Sequence, residues 1–216
     1  MKFVISGTGT DIGKTVLAAG LCRMLGADYW KPLQTGVLAA TEDAPEDAPE
    51  TAGGDAATVA RLSGARIWPG AHVLPQPLSP HRAAELAGVD IDLPRLRAIP
   101  PSPRLIIEGA GGVLVPVTRQ LLFADLFAQW GLPVVLAATT GLGTISHSLT
   151  AIEALRARGV PILGVAFIGA EDEDNVATIG QIGRVRVLGR LPRLAPLTPE
   201  SLERAMTAHF DAGDFE

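Results

Sequence analysis

The chain of 216 residues has a single cysteine, Cys22. No intramolecular disulfide framework is possible, and a reducing compartment, the cytoplasm, is expected. No apolar run approaches the roughly 18 residues that a membrane-spanning helix needs. No excess of positive charge is present either. The formal net charge is −5, whereas a nucleic-acid-binding face is basic. We therefore expect neither a membrane nor a nucleic acid as partner. The N-terminus enters a strand pattern at once, without the layout of a secretory leader. None of the four histidines falls at a zinc-binding spacing. No Ser/His/Asp arrangement stands out, and Cys22, in the body of a helix pattern, reads as a buried thiol rather than a nucleophile.

What is present is a loop. Gly7-Thr8-Gly9-Thr10-Asp11-Ile12-Gly13-Lys14-Thr15 follows the apolar run Phe3-Val4-Ile5. It precedes a helix pattern in which Val16, Leu17, Gly20, Leu21 and Met24 recur at helical spacing. Strand, Gly-rich turn, Lys-Thr and helix form the setting in which a phosphate-binding loop has a mechanism. Backbone N–H groups and the positive helix end hold phosphate oxygens. Lys14 would bring charge to the outer phosphates, and the Thr15 hydroxyl would ligate Mg²⁺. A nucleoside triphosphate is the expected ligand. The loop is a variant, since five residues separate Gly7 from Gly13 instead of the usual four.

The remaining pattern alternates. Leu105-Ile106-Ile107, Leu132 to Ala138, Ile162 to Phe167 and Val185 to Leu188 read as strands buried on both faces. Helical patterns cover Phe123 to Trp130 and Thr144 to Arg158, and Thr198 with Pro199 caps a last helix. The expected fold is α/β: a doubly wound, mainly parallel sheet flanked by helices, of the P-loop NTPase type. With 47% hydrophobic residues, one domain over residues 1–216 is expected. Glu42-Asp43-Ala44-Pro45 repeats as Glu46-Asp47-Ala48-Pro49, so a flexible acidic loop is expected at about 39–54. Between Ala65 and Pro103 proline is frequent and periodicity weak, which suggests short helices along the sheet edge.

Further segments offer partners for the loop. Lys31-Pro32-Leu33-Gln34-Thr35-Gly36 follows a strand pattern, Asp28-Tyr29-Trp30. Lys31 is either a solvated lysine or a cation at a strand end beside the first. Glu108-Gly109-Ala110-Gly111-Gly112 places a carboxylate at the end of a buried strand. A charge there needs a partner, and a Mg²⁺-orienting acid is favoured over a turn. Asp55 opens a helix pattern, as an N-cap or as an acid aimed at the site. Gly141-Leu142-Gly143-Thr144-Ile145-Ser146 opens the longest helix. Its N–H groups suit a phosphate or a carboxylate, or make only a tight turn. His81, after Ser79-Pro80, is either a substrate contact or a helix start.

Together, in this order and over nearly the full chain, these segments and Gly189-Arg190-Leu191-Pro192 resemble the dethiobiotin synthetases. The resemblance implies an ATP- and Mg²⁺-dependent ring closure in biotin synthesis. Its substrates are 7,8-diaminononanoate and CO₂ or bicarbonate, joined through a carbamate and a carbamic-phosphoric anhydride. It implies catalytic roles for Lys14 and Lys31, and Mg²⁺ ligation by Thr15, Asp55 and Glu108. Nucleotide contacts would come from Gly9, Thr10, Asp11, Ile12, Gly13, Lys14, Thr15 and Glu108, with Gly169, Leu191 and Pro192 near the base. Substrate contacts would come from Thr10, Lys31, Thr35, Pro80 and Gly111. A homodimer is implied, in which Gly143, Thr144, Ile145 and Ser146 bind the substrate carboxylate from the neighbouring chain. One departure stands out. Where the family often carries a base-reading asparagine, this chain has Ile168 and Gly169, so base recognition would fall to backbone groups. The alternative is a partition or switch ATPase of the same superfamily, but the early second lysine that many of those use is missing from Ser6-Gly7-Thr8.

Overall fold

The computed structural model describes residues 1–37 and 54–215. The acidic stretch expected at about 39–54 lies, apart from Gly54, outside the described residues. In chain order the elements are β1 (Lys2–Gly7), α1 (Lys14–Leu25), β2 (Asp28–Trp30) and β3 (Leu33–Thr35). There follow α2 (Gly54–Ser63), β4 (Ile67–Trp68), β5 (His72–Leu74), α3 (Pro80–Ala87) and α4 (Leu93–Arg97). The second half holds β6 (Leu105–Gly112), α5 (Phe123–Trp130), β7 (Val134–Thr139), α6 (Thr144–Arg156), β8 (Ile162–Ile168), α7 (Glu173–Gly183), β9 (Val187–Leu191) and α8 (Pro199–His209).

Seven strands form one parallel sheet in the order β4-β2-β6-β1-β7-β8-β9. Residues alternate between its faces, as the period of a strand requires. Phe3, Ile5, Ile106, Val135 and Ala166 join the core under α1, α2 and α8. Val4, Leu105, Ile107, Leu136 and Phe167 join the core under α5, α6 and α7. Because both faces are covered, the strands read as continuous apolar runs rather than as alternating ones. The Thr198 hydroxyl accepts from the Ser201 N–H at 3.1 Å, and the Ser201 hydroxyl accepts from the Thr198 N–H at 3.0 Å. These two bonds start α8, with Pro199 at its first position.

Three differences from the sequence reading matter. β6 runs through the glycines to Gly112, so Glu108 lies inside the strand, opposite Ile5 of β1. Gly111 has φ +67°, and a Cβ there would stand 2.8 Å from a Val115 methyl, while Gly112 passes beside the Gly7 carbonyl of the phosphate loop. α7 was not expected, because its acidic, glycine-containing stretch shows little apolar periodicity. Between Ala65 and Pro103 lie α3 and α4 but also β4 and β5, and β5 pairs with β3 in a separate two-stranded sheet.

Candidate active site

β1 hands the chain into the loop beside β7, where the Thr8 N–H still donates to the Ala137 carbonyl at 3.0 Å. Gly13 takes φ +97°, a conformation that a side chain disfavours, and a Cβ there would meet Ile168 at 2.9 Å. The first N–H groups of α1 find no side-chain cap, which leaves them available to an anion. Asp11 sits in the left-handed region at φ 54°. Aspartate tolerates that conformation, and so the longer loop is accommodated. Lys14 folds back over the loop, its Nζ donating to the Gly9 carbonyl at 2.7 Å.

Three adjacent strands bring the charged groups together. In β2, Trp30 stands opposite Ile107 of β6. The next residues along, Lys31 and Glu108, are thereby placed side by side, next to the loop that leaves β1. The Glu108 carboxylate is 1% exposed and takes three donors. Its Oε1 accepts from the Thr15 hydroxyl at 3.0 Å and from Lys31 Nζ at 3.0 Å. Its Oε2 accepts from the Tyr29 hydroxyl at 2.9 Å. Lys31 Nζ also pairs with the Asp55 carboxylate, in the first turn of α2. Asp55 therefore acts through its charge and is not the cap of that helix.

Lys31 is not the solvated surface lysine that the sequence left open, for it is buried. Burial alone would favour its neutral form. The charges of Glu108 and Asp55, and its bonds to both, outweigh that and hold its pKa above the ordinary lysine value. Lys14 goes the other way: burial lowers its pKa, Glu108 offsets part of this, and the Lys31 charge adds to it. Only three lysines occur in the whole chain, Lys2, Lys14 and Lys31, and two of them meet here. Tyr29 is a site residue that sequence reasoning missed. In a strand pattern, one tyrosine between aspartate and tryptophan carries no signal.

A cavity of about 400 Å³ holds Thr10, Lys14, Thr15, Lys31, Thr35, Asp55, Glu108 and Gly111 in its walls. A larger one of about 1040 Å³ is walled by Thr140, Gly169, Arg190, Leu191, Pro192 and Leu197, among others. Asp11, Ile12, Gly13 and Val16 line both, so the two meet over the phosphate loop. The smaller carries the charged groups, and the larger offers apolar walls of the kind that a flat base needs.

Two predicted groups fall elsewhere. Pro80 is buried in the first turn of α3 and is not among the walls of either cavity. The α6 start at Gly143, Thr144, Ile145 and Ser146 does not line the Lys31 cavity of its own chain. The Thr144 hydroxyl is taken by the Thr139 carbonyl. What remains for an anion there is backbone N–H groups and the exposed Ser146.

Residues 1–201 match a family model described as an AAA domain. The ATP-dependent dethiobiotin synthetase BioD of Agrobacterium fabrum is 52% identical over 218 residues, covering 100% of this chain and 97% of the relative. That of Sphingopyxis alaskensis is 51% identical over 214 residues, covering 99% and 98%. The chain belongs to the dethiobiotin synthetase family. Among solved structures, the septum site-determining protein MinD of Pyrococcus horikoshii, complexed with Mg-ADP, aligns with a TM-score of 0.53 at 14% identity. That alignment covers 100% of this chain and 89% of the other. The cell division ATPase MinD of Pyrococcus furiosus gives 0.53 at 15%, covering 95% and 89%. At such identities the likeness concerns the fold alone, that of P-loop NTPases, whereas the near-full-length sequence relatives are synthetases.

The glycine at position 169 has a steric reason. Gly169 has φ +143°, and a Cβ there would stand 2.5 Å from the Thr140 hydroxyl. The Gly169 carbonyl accepts from Arg190 at 3.0 Å and its N–H donates to the Leu191 carbonyl at 3.0 Å. Gly169→Asn should therefore raise the KM for ATP and lower stability by about 1–3 kcal/mol of backbone strain. A lower KM would show that the pocket admits the side chain after all.

Proposed function

We propose that this chain catalyses the ATP- and Mg²⁺-dependent closure of 7,8-diaminononanoate with CO₂ to dethiobiotin, releasing ADP and phosphate. The observation that carries this reading is Lys31, held between Glu108 and Asp55 in the same cavity as Lys14 and Thr15. A cation beside the phosphate loop serves a reaction in which two anions must meet, a carbamate and a triphosphate.

One amine of the diamine adds to CO₂ and loses a proton, giving a carbamate. A carbamate oxygen attacks the γ-phosphorus, and the bond to the β-phosphate oxygen breaks, releasing ADP. The second amine then attacks the carbonyl carbon of the mixed anhydride. Phosphate leaves, and the amine proton goes with it or to solvent. Lys14 and the α1 N–H groups bind and orient the triphosphate. Lys31, in the wall of the same cavity, stabilises negative charge on the carbamate and the transferring phosphoryl. Thr10 and Thr35 supply hydroxyls along the substrate wall.

The donor set fits Mg²⁺. Thr15, Glu108 and Asp55 offer hard oxygens, and no cluster of three or more His, Cys, Asp or Glu gathers among the described residues. Mg²⁺ is usually held by one or two carboxylates together with substrate phosphates. When bound, it neutralises phosphate charge and polarises the transferring group. Two lysines face three carboxylates in this cavity, Asp11, Asp55 and Glu108, for a balance of −1. With a divalent ion held by Thr15, Asp55 and Glu108, that balance would become +1 and would suit anions.

A homodimer belongs to the same reading. The α6 start has free N–H groups and an exposed Leu142 beside them, and it would reach the substrate carboxylate in a neighbouring chain. A cytoplasmic location goes with the same reading, supported by the single cysteine, which is free and buried. The test is phosphate release with diamine, bicarbonate and ATP each omitted in turn. Release that requires all three is expected. Release that is indifferent to the diamine would point instead to a switch ATPase.

A further inference from the structure

We infer that Tyr29 is a positioning residue for the reaction: its phenol fixes the Glu108 carboxylate so that one oxygen alone faces the phosphate loop. The inference rests on the reading of Glu108 as a Mg²⁺ ligand.

Tyr29 is fully buried in the core under α1, α2 and α8. It stands opposite Ile106 of β6 and Ile67 of β4, so both flanking strands are apolar beside it. A buried phenol needs an acceptor, and among the described residues its hydroxyl has one, Glu108 Oε2 at 2.9 Å. The other oxygen, Oε1, receives Thr15 and Lys31. The division is complete: Oε2 is tied inward to the core, and Oε1 is turned outward to the site. Without the phenol, the carboxylate could rotate, and an inward oxygen would lie among apolar groups with no donor. Hydrogen bonds that orient a ligating carboxylate commonly govern metal affinity by 10- to 100-fold.

Tyr29 touches neither nucleotide nor substrate and cannot reach the smaller cavity, whose walls do not include it. Its effect must therefore pass through Glu108, and that is what the experiment reads. Mn²⁺ binding to protein loaded with a non-hydrolysable ATP analogue is measured by the loss of the free-ion electron paramagnetic resonance signal. Tyr29→Phe is expected to weaken Mn²⁺ about 10-fold or more, with the affinity for metal-free analogue unchanged. In a Glu108→Gln background the same change should leave Mn²⁺ binding within about twofold, because residues acting as one unit are not additive. Wild-type Mn²⁺ affinity in Tyr29→Phe, or an equal loss in both backgrounds, overturns the inference. Unaltered Mn²⁺ binding in Glu108→Gln alone removes the metal reading beneath it.

Should the phenylalanine variant fail to fold, the chain offers another probe, since Tyr29 is its one tyrosine. Biosynthetic replacement by 3-fluorotyrosine gives a single fluorine resonance from a hydroxyl that still donates. That resonance should shift when Mg²⁺ joins the analogue-loaded protein and stay still in Glu108→Gln. A shift that is the same in both would sever Tyr29 from the metal.

Discussion

Lys14→Ala is expected to reduce kcat/KM by roughly 10³-fold or more while leaving the protein folded. The size follows from what the ammonium does. It is a preorganised donor at the phosphates in a water-poor cavity, and loss of one such donor costs about 10²–10³ in rate; the loss of binding adds to this. Stability should move little, for a reason visible in the fold. Burial lowers the Lys14 pKa, so the charged side chain is disfavoured in the native state. Its protein partner is one carbonyl, that of Gly9. A base whose pKa is lowered by folding weakens the fold at every pH below its ordinary value of 10.5, so removing it relieves the penalty at neutral pH. Thermal melting without nucleotide should thus be unchanged or slightly raised. A strongly lowered melting temperature would mean that Lys14 holds the loop together rather than waiting for phosphate.

Lys31→Gln should behave differently, losing both rate and stability. A drop in kcat of about 10²-fold or more is expected from the missing charge at the carbamate and transferring phosphoryl. The stability loss comes from what stays behind. Glu108 and Asp55 share one ammonium, and Glu108 is almost fully buried. Removing one partner of a buried ion pair costs about 3–5 kcal/mol, or roughly 10 °C in melting temperature at this chain length. The folded state raises the Lys31 pKa above the ordinary value of 10.5. Its stabilisation is therefore complete below that pH and is lost only as pH climbs through the higher folded value. The deficit of the variant should be constant from about pH 6 to 8. Mg²⁺ with ATP should restore part of it, because a second cation source then serves the same carboxylates. Near-normal turnover in this variant would take Lys31 out of the mechanism.

The parts of this site that the sequence shows are those whose chemistry conflicts with their surroundings. Lys14 and Thr15 end a glycine-rich turn between a strand and a helix. Glu108 interrupts an apolar strand, where a charge without a partner would be costly. Lys31 was ambiguous because a lysine after aromatic residues suits a surface as well as a site; only the register of β2 against β6 decides it. Tyr29 left no trace, since its polar atom is a small part of a side chain that strands favour anyway. Fold class followed from the apolar runs. α7, β3 and β5 did not, being short or weakly patterned and held by tertiary pairing. From the sequence Asp55 reads as an N-cap or as an acid aimed at the site; the placement of α2, with Asp55 in its first turn and paired to Lys31, favours the second.

The ladder between β2 and β6 sets the Lys31–Glu108 spacing, and a long excursion of the chain joins the two strands. That long excursion includes α2, α3, α4 and the small second sheet, and among its described residues Asp55 joins the ionic group. The stretch beyond Asp55 serves the centre from behind: Val59 and Leu62 pack in the core that holds Tyr29, and β4 lies along the outer edge of β2. A designer can therefore vary the solvent-facing turns of that stretch but must keep these two backings, since they hold β2, and with it Lys31, against β6.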